Sequence, residues 1–67
     1  MHLTPVKSDA VTHVGHDGKD LTVLYRGGRR YVHRNVPEQR YKQLLASDSI
    51  GRFLNDHIRK QYPGVAQ

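Results

Sequence analysis

Residues 10–36 read AVTHVGHDGKDLTVLYRGGRRYVHRNV, and two turn signals divide them into three extended segments. Asp17-Gly18 is a strong signal for a two-residue hairpin turn, because both central positions of the favoured turn need positive φ. Gly27-Gly28 marks a second turn. The segments between these turns are Ala10 to His16, Leu21 to Arg26 and Arg30 to Val36. Together they predict a three-stranded antiparallel meander.

The turn lengths determine which side chains share a face of this sheet. A two-residue Asp17-Gly18 turn pairs Val14 with Leu21, and a three-residue Gly27-Gly28-Arg29 loop pairs Tyr25 with Tyr31. We prefer that loop to a two-residue turn, because a slip of one residue would reverse every side chain of the third strand. The predicted core face then carries Ala10, Thr12, Val14, Leu21, Val23, Tyr25, Tyr31 and His33. The predicted outer face carries Val11, His13, Thr22, Leu24, Arg26, Arg30, Val32 and Arg34.

Two helices are predicted after the strands. Val36-Pro37-Glu38 begins the first helix, because proline is favoured at the first helical position. Ser47-Asp48-Ser49 ends that helix and offers an N-cap for the next one, and Pro63 ends the second helix. The apolar stripe of the second helix consists of Ile50, Phe53, Leu54, His57, Ile58 and Gln61. We therefore predict an α+β fold in which both helices pack on one face of a three-stranded meander.

The composition indicates one small domain with a basic surface. The chain has 67 residues, and 1–67 is read as a single domain. It has no cysteine, which excludes disulfides and favours a reducing, cytoplasmic location. No apolar stretch approaches the ~20 residues of a membrane span, so no membrane association is expected. A formal net charge of +5 favours polyanionic partners, although a charge of this size also serves solubility alone.

The residue patterns typical of active sites are missing from the sequence. Gly27-Gly28 precedes a strand rather than a helix, so it does not match a phosphate-binding loop. His13 and His16 are expected on opposite faces of one strand, whereas a zinc site needs three or four converging ligands. His57 is interpreted as a packed, hydrogen-bonded histidine of the second helix. We expect no enzymatic activity, no metal and no cofactor.

Two functions fit the predicted outer face. The first is nucleic-acid binding, with RNA favoured, through the phosphate-contacting residues Arg26, Arg29, Arg30 and Arg34, extended by Arg52, Asn55, Arg59 and Lys60. Because Tyr25 and Tyr31 are expected to face the core, such binding would depend on the nucleic-acid backbone rather than on base stacking. The second is a protein-interaction module that uses the apolar stripe of Val11, Leu24 and Val32. Cover of this stripe by the N-terminal segment near Leu3 and Val6 is an alternative, and the oligomeric state is left open.

Short motifs along nearly the whole chain carry a family resemblance. They are Val6-x-Ser8, Val14-Gly15-His16-Asp17, Tyr31-x-His33-x-x-Val36-Pro37, Tyr41-x-x-Leu44-Leu45-x-Ser47 and Ser49-x-Gly51-x-Phe53-x-Asn55-x-x-Ile58-Arg59-x-x-Tyr62. This pattern resembles the KTSC family, which is named for its occurrence at the C-terminus of some lysyl-tRNA synthetases. The family also occurs as stand-alone bacterial and phage proteins. The resemblance implies an RNA-binding role, and no catalytic activity is attributed to the family.

The resemblance marks five positions of this chain, each of which also has a structural interpretation. Ser49 is expected to cap a helix, Gly51 to let the helix approach the sheet, and Asn55 to bind backbone. Tyr31 is expected to fill core. Arg59 has no obvious partner within its helix, so it is expected to face a ligand, with simple solvation as the alternative. The family usually has a Tyr-x-Tyr pair in the central strand, and this chain has His33 at the second position. If His33 is buried, it needs a hydrogen-bond partner.

Overall fold

The computed structural model describes residues 3–67, which form a five-stranded antiparallel sheet with two helices. The strands lie side by side in chain order as β1 (Thr4–Pro5), β2 (Val11–His16), β3 (Leu21–Tyr25), β4 (Arg30–His33) and β5 (Gly64–Ala66). Between β4 and β5 lie α1 (Glu38–Ala46) and α2 (Ile50–Phe53), and α2 continues as a π-turn (Leu54–Ile58). The predicted α+β class with two helices is confirmed. The predicted count of three strands is wrong, because short segments near both ends of the chain extend the meander.

Both additional strands are too short to show an alternating pattern in the sequence. β1 has only two residues, and Pro5 within it is tolerated because an edge strand can lack one backbone donor. All three residues of β5 are exposed, and Gly64 lies opposite His33. Backbone pairing rather than buried side chains holds these edges, so a search for hydrophobic periodicity does not detect them.

The core lies between one face of the sheet and the two helices. Its nine buried apolar residues are Val11, Val14, Leu21, Val23, Val36, Leu44, Ile50, Leu54 and Ile58. Ile50, Leu54 and Ile58 follow one another at intervals of four, which places them on one side of the second helix. Leu44 of α1 belongs to the same cluster, so both helices contribute to the core.

The first hairpin has a four-residue loop, residues 17–20, instead of the predicted two-residue turn. The Asp17 carboxylate closes this loop by accepting the backbone N–H groups two and three positions later, at 3.0 and 2.7 Å. Val14 consequently lies opposite Val23 and not opposite Leu21. This displacement by two residues keeps Val14 on the core face, because side chains alternate with a period of two along a strand.

A β-bulge in β2 changes the predicted faces of its first residues. The bulge turns Val11 into the core with 0% exposure, whereas the sequence placed it on the outer face. Thr12, predicted as core, donates its hydroxyl to the Leu24 carbonyl at 3.2 Å. Ala10, also predicted as core, is exposed. The predicted outer stripe therefore loses Val11 and retains only the half-buried Leu24 and Val32.

The second hairpin has a three-residue loop, as predicted, but the loop begins one residue earlier. The backbone N–H of Tyr25 donates to the Arg29 carbonyl at 2.7 Å, so the loop consists of residues 26–28. Both glycines of this loop have positive φ, at 97° and 88°, which glycine adopts without strain. Tyr25 and Tyr31 lie on the same side as the core, as predicted, because Tyr31 lies opposite Val23.

The second helix departs from regular α-helical geometry after Phe53. The backbone N–H of Arg59 donates to the Leu54 carbonyl at 2.8 Å, five residues earlier, which is the hydrogen bond of a π-turn. His57, predicted as a packed histidine, is exposed, and its ring lies 4.7 Å from that of Phe53. Within residues 3–67, no helix has the length and apolar character needed to cross a membrane.

His33 joins the meander to the C-terminal strand. It is 2% exposed, and its Nδ1 donates to the Tyr62 carbonyl at 2.6 Å. One ring nitrogen therefore has the partner that a buried polar group needs, whereas Nε2 has none among residues 3–67. A Cβ atom at Gly64 would lie only 2.6 Å from Cε1 of His33. The imidazole therefore fits beneath β5 because residue 64 has no side chain.

We predict that Gly64→Ala destabilises the protein by about 1–3 kcal/mol, the usual range for overpacking. The added methyl group would press on His33, which its hydrogen bond to Tyr62 holds in place. Urea unfolding would measure the loss of free energy. The same substitution in a His33→Ala background should cost much less, because the ring is gone. An equal loss in both backgrounds would rule out contact with His33 as the cause.

A second prediction concerns acid stability. Backbone hydrogen bonds from Asp20 and Lys19 lower the pKa of the Asp17 carboxyl. A lowered pKa in the folded state stabilises the fold above the usual carboxyl range, and this contribution is lost as the pH falls through the folded pKa. The melting temperature of the parent should therefore exceed that of Asp17→Ala at pH 7. The difference should shrink below about pH 4, and a constant difference down to pH 2 would contradict the assignment.

Candidate functional site

An open cleft lies where the second hairpin meets the end of the second helix. Its volume is about 770 Å³, within the ~300–1,000 Å³ range of small-ligand sites. It is lined by Ala10, Tyr25, Arg26, Gly27, Arg29, Tyr31, His33, Arg59 and Gly64. We call it the arginine–tyrosine cleft. None of the described residues that line it is acidic, so its polar surface favours a negatively charged ligand.

Two tyrosines form the aromatic part of this cleft. The rings of Tyr25 and Tyr31 meet edge to face, with centroids 5.4 Å apart and an angle of 89° between their planes. Both side chains are only half-buried, because they lie at the end of the core face and are not fully covered. Both tyrosines thus lie on the core side of the sheet, as expected, and their exposed parts line the cleft.

Burial also raises the pKa of the Tyr25 hydroxyl, and the Arg59 guanidinium opposes part of this shift. The hydroxyl is consequently neutral at physiological pH and is able to donate a hydrogen bond. The opposing influence of Arg59 reflects how close its charge lies to the tyrosine. Arg59 directly follows the π-turn, so the irregular end of the second helix brings a cation to the aromatic part of the cleft.

Arg26 is held in place by the loop that precedes β2. Its Nε donates to the Asp9 carbonyl at 2.8 Å, and its Nη2 donates to the Ser8 carbonyl at 3.1 Å. Its own backbone N–H donates to the Ala10 carbonyl at 2.9 Å. The guanidinium is thus fixed to backbone atoms on one side and presents its remaining N–H groups on the other.

A second hollow, of about 610 Å³, adjoins the cleft. It is lined by Lys7, Ser8, Asp9, Ala10, Arg26, Asp48, Ser49 and Gly51, and we call it the serine–aspartate hollow. Arg26 and Ala10 line both spaces. Unlike the cleft, the hollow has two carboxylates as well as two cations. Its chemistry therefore differs from that of the cleft.

The residues predicted as a binding site divide among these regions. Arg26, Arg29, Arg59, Tyr31 and His33 line the cleft, and Ser49 and Gly51 line the hollow. The remaining predicted residues are exposed elsewhere and line neither space: Arg30, Arg34, Arg52, Asn55 and Lys60. The structure thus brings about half of the predicted set together.

The predicted continuous basic face of the sheet is wrong. Arg26 lies beyond the end of β3 and lines the cleft, and Arg34 lies beyond the end of β4. Only Arg30 lies within a strand, opposite Leu24. Arg26 and Arg34 lie outside the strands, where the alternation of side chains between the two faces no longer applies.

The family positions have identifiable structural roles. Ser49 caps α2 as predicted, since its Oγ accepts the backbone N–H of Arg52 at 3.3 Å. A Cβ atom at Gly51 would lie 3.7 Å from Cβ of Ala10, which is an ordinary contact. Gly51 therefore approaches the loop before β2, not the sheet. Asn55 is exposed.

Four residues that line the cleft are absent from the predicted site: Ala10, Tyr25, Gly27 and Gly64. The sequence pattern places Ala10 and Tyr25 on the predicted core face and Gly27 in the second turn, and it gives Gly64 no role in the site. The alternation of tyrosine and arginine around the Gly27-Gly28 turn could have indicated Tyr25, whereas Gly64 had no signal without knowledge of β5. Within residues 3–67, no group of three or more metal-binding side chains converges.

Comparison with known proteins places the chain in a family. The KTSC domain model matches residues 7–62. A protein from Tsukamurella paurometabola is 33% identical over 66 residues, which covers 96% of this chain and 98% of that protein. The crystal structure of a KTSC domain protein from Yersinia pestis is similar with a TM-score of 0.90 at 25% identity, covering 98% of this chain and 96% of the other. Together with the motifs quoted above, these similarities show that the chain belongs to the KTSC domain family.

Proposed function

We propose that this protein is a non-catalytic module that binds single-stranded nucleic acid, with RNA favoured, in the arginine–tyrosine cleft. The observation that carries this proposal is the convergence of Arg26, Arg29 and Arg59 with two half-buried tyrosines. Guanidinium groups match the oxygens of a phosphate with paired donors. Tyrosine rings give the bases a surface for stacking. A ligand that carries both phosphates and planar bases fits this combination best.

The balance of charge supports a polyanionic ligand. The net charge of the chain is +5, and no described acidic side chain lines the cleft to oppose it. RNA is preferred to DNA because the family occurs at the C-terminus of some lysyl-tRNA synthetases, a context that implies contact with RNA. The cysteine-free composition supports a reducing compartment, such as the cytoplasm, for this role.

The chemistry of the cleft supports binding without catalysis. His33 is buried, its Nδ1 donates to the Tyr62 carbonyl, and its Nε2 has no hydrogen-bond partner among residues 3–67. No carboxylate, serine or threonine among the described residues lines the cleft beside this imidazole. The other polar side chains that line the cleft are arginines and tyrosines. These groups can hold a ligand, but they do not provide a paired nucleophile and base.

The alternative function is a protein-interaction module on the outer face of the sheet. One observation favours it: Val65 is 54% exposed and lies opposite the half-buried Val32. Val65 thus extends the apolar patch of Leu24 and Val32, to which Val11 does not belong because it is buried in the core. The patch would bind a partner mainly through apolar contacts, so its affinity should survive salt better than phosphate binding does.

We predict that labelled single-stranded RNA of ten uridines binds the protein and that the affinity falls about 20-fold between 50 and 200 mM salt. This figure assumes three phosphate contacts, each of which releases counterions from a single strand. An Arg29→Ala, Arg59→Ala double variant should bind at least about tenfold more weakly, with a correspondingly smaller dependence on salt. Fluorescence anisotropy would measure both effects.

Two matched variants make this experiment decisive. Lys19→Ala with Lys42→Ala removes the same charge away from the cleft and should change the affinity little. Arg30→Ala with Arg34→Ala tests the outer face that the sequence had indicated. A loss of RNA affinity only in the Arg30→Ala, Arg34→Ala variant would contradict binding in the cleft. An equal loss of affinity in all three double variants would also contradict it. An absence of RNA binding at either salt concentration would favour the protein-interaction alternative, which Leu24→Asp would then test.

A further inference from the structure

The serine–aspartate hollow and the arginine–tyrosine cleft share Arg26 as a common wall. We propose that together they bind one dinucleotide step of a single strand, with one base in each space and the linking phosphodiester on Arg26. The proposal rests on the nucleic-acid binding proposed above and specifies the ligand of that site. The ligand is an internal step of an oligonucleotide rather than a free nucleotide or a terminal phosphate.

The geometry of Arg26 supports its place at the phosphodiester. An arginine side chain has five N–H donors, and two of them are occupied by the carbonyls of Asp9 and Ser8. Three N–H groups are therefore left at a guanidinium whose position the backbone already fixes. A donor set that is fixed before binding loses little conformational freedom when a phosphate arrives. Arg26 is the only arginine that lines both spaces.

The two spaces favour different parts of a nucleotide. In the cleft, Tyr25 and Tyr31 offer a stacking surface beside Arg59, which suits a base and its neighbouring phosphate. In the hollow, the carboxylates of Asp9 and Asp48 repel phosphate and accept hydrogen bonds from base amino groups or ribose hydroxyls. Arg26 lies between the aromatic cleft and the acceptor-rich hollow. This arrangement matches a phosphodiester that links two nucleosides.

The serine hydroxyls of the hollow complete the set of groups available to a nucleoside. Ser8 Oγ accepts the backbone N–H of Ala10 at 3.2 Å, and Ser49 Oγ accepts that of Arg52 at 3.3 Å. Each hydroxyl therefore keeps its own hydrogen for donation. The hollow thus offers donors and acceptors at neighbouring positions, as the edge of a nucleobase requires.

The test compares adenosine 5′-monophosphate with the dinucleotide ApA by competition against labelled RNA. The monophosphate carries about −1.5 to −2 charges at pH 7, whereas ApA carries a single charge on its phosphodiester. If charge alone governed binding, the monophosphate would bind more tightly. We expect ApA to bind about tenfold more tightly, because the second base gains its own contacts.

Two variants locate the second base. Gly51→Gln places a long side chain in the hollow at a position that accepts a Cβ atom in ordinary contact, so α2 should still form. Gly51→Gln should lower the affinity for ApA until it equals the affinity for the monophosphate. The affinity for the monophosphate should not change. Arg26→Lys keeps the positive charge but loses the paired N–H donors of the guanidinium. It should lower the affinity for ApA about tenfold and the affinity for the monophosphate by less.

The outcomes separate this inference from the proposed function. Equal affinities for ApA and the monophosphate, with Gly51→Gln affecting neither, would overturn the dinucleotide site while leaving single-nucleotide binding in the cleft intact. Failure of the monophosphate, ApA and the ten-residue RNA to bind would overturn both proposals. Tighter binding of ApA that Gly51→Gln abolishes would support the dinucleotide step.

Discussion

The contact of His33 with the C-terminal segment determines how the two halves of the structure meet. The imidazole donates to the Tyr62 carbonyl at 2.6 Å and lies against Gly64, which pairs with His33 across the sheet. This contact directs the chain from the end of the second helix back onto β4. Arg59 comes shortly before that turn, so the same contact brings it to the tyrosines of the cleft. The cleft therefore forms because β5 pairs with β4 at this edge of the sheet.

The core and the cleft share one sheet face but differ in how completely the helices cover it. Ile50, Leu54 and Ile58 fill the covered part, where these three side chains are at most 7% exposed. Beyond this part, Tyr25 and Tyr31 continue the same face and are only half-buried. An aromatic surface that continues a rigid core is positioned by packing, and the arginines around it come from the hairpin and the π-turn. The tyrosines and arginines of the cleft are thus positioned by strands and helices that the core holds in place.

The sequence predicted the class of fold, the two helices and the tyrosine-bearing face, because each depends on local periodicity or turn chemistry. It did not predict β1 or β5, whose stability comes from backbone pairing with little side-chain burial. It also placed Val11 on the wrong face of the sheet. A β-bulge reverses the alternation of side chains between the two faces, and no distinctive residue marks this bulge in the sequence. The arginines were recognised, but their grouping was not, because Arg26 and Arg59 line one cleft only in the folded chain. Family membership followed from a match over residues 7–62, which include neither β1 nor β5.

Photocrosslinking gives the most direct test of the claim that this face binds nucleic acid at its uncovered end. The full-length protein would be irradiated with single-stranded RNA containing 4-thiouridine, and the crosslinked peptides would be identified by mass spectrometry. The account predicts crosslinks at Tyr25 or Tyr31 that excess unlabelled RNA suppresses. Crosslinks confined to Leu24, Arg30 and Val32 would place the RNA on the outer face of the sheet and would contradict it.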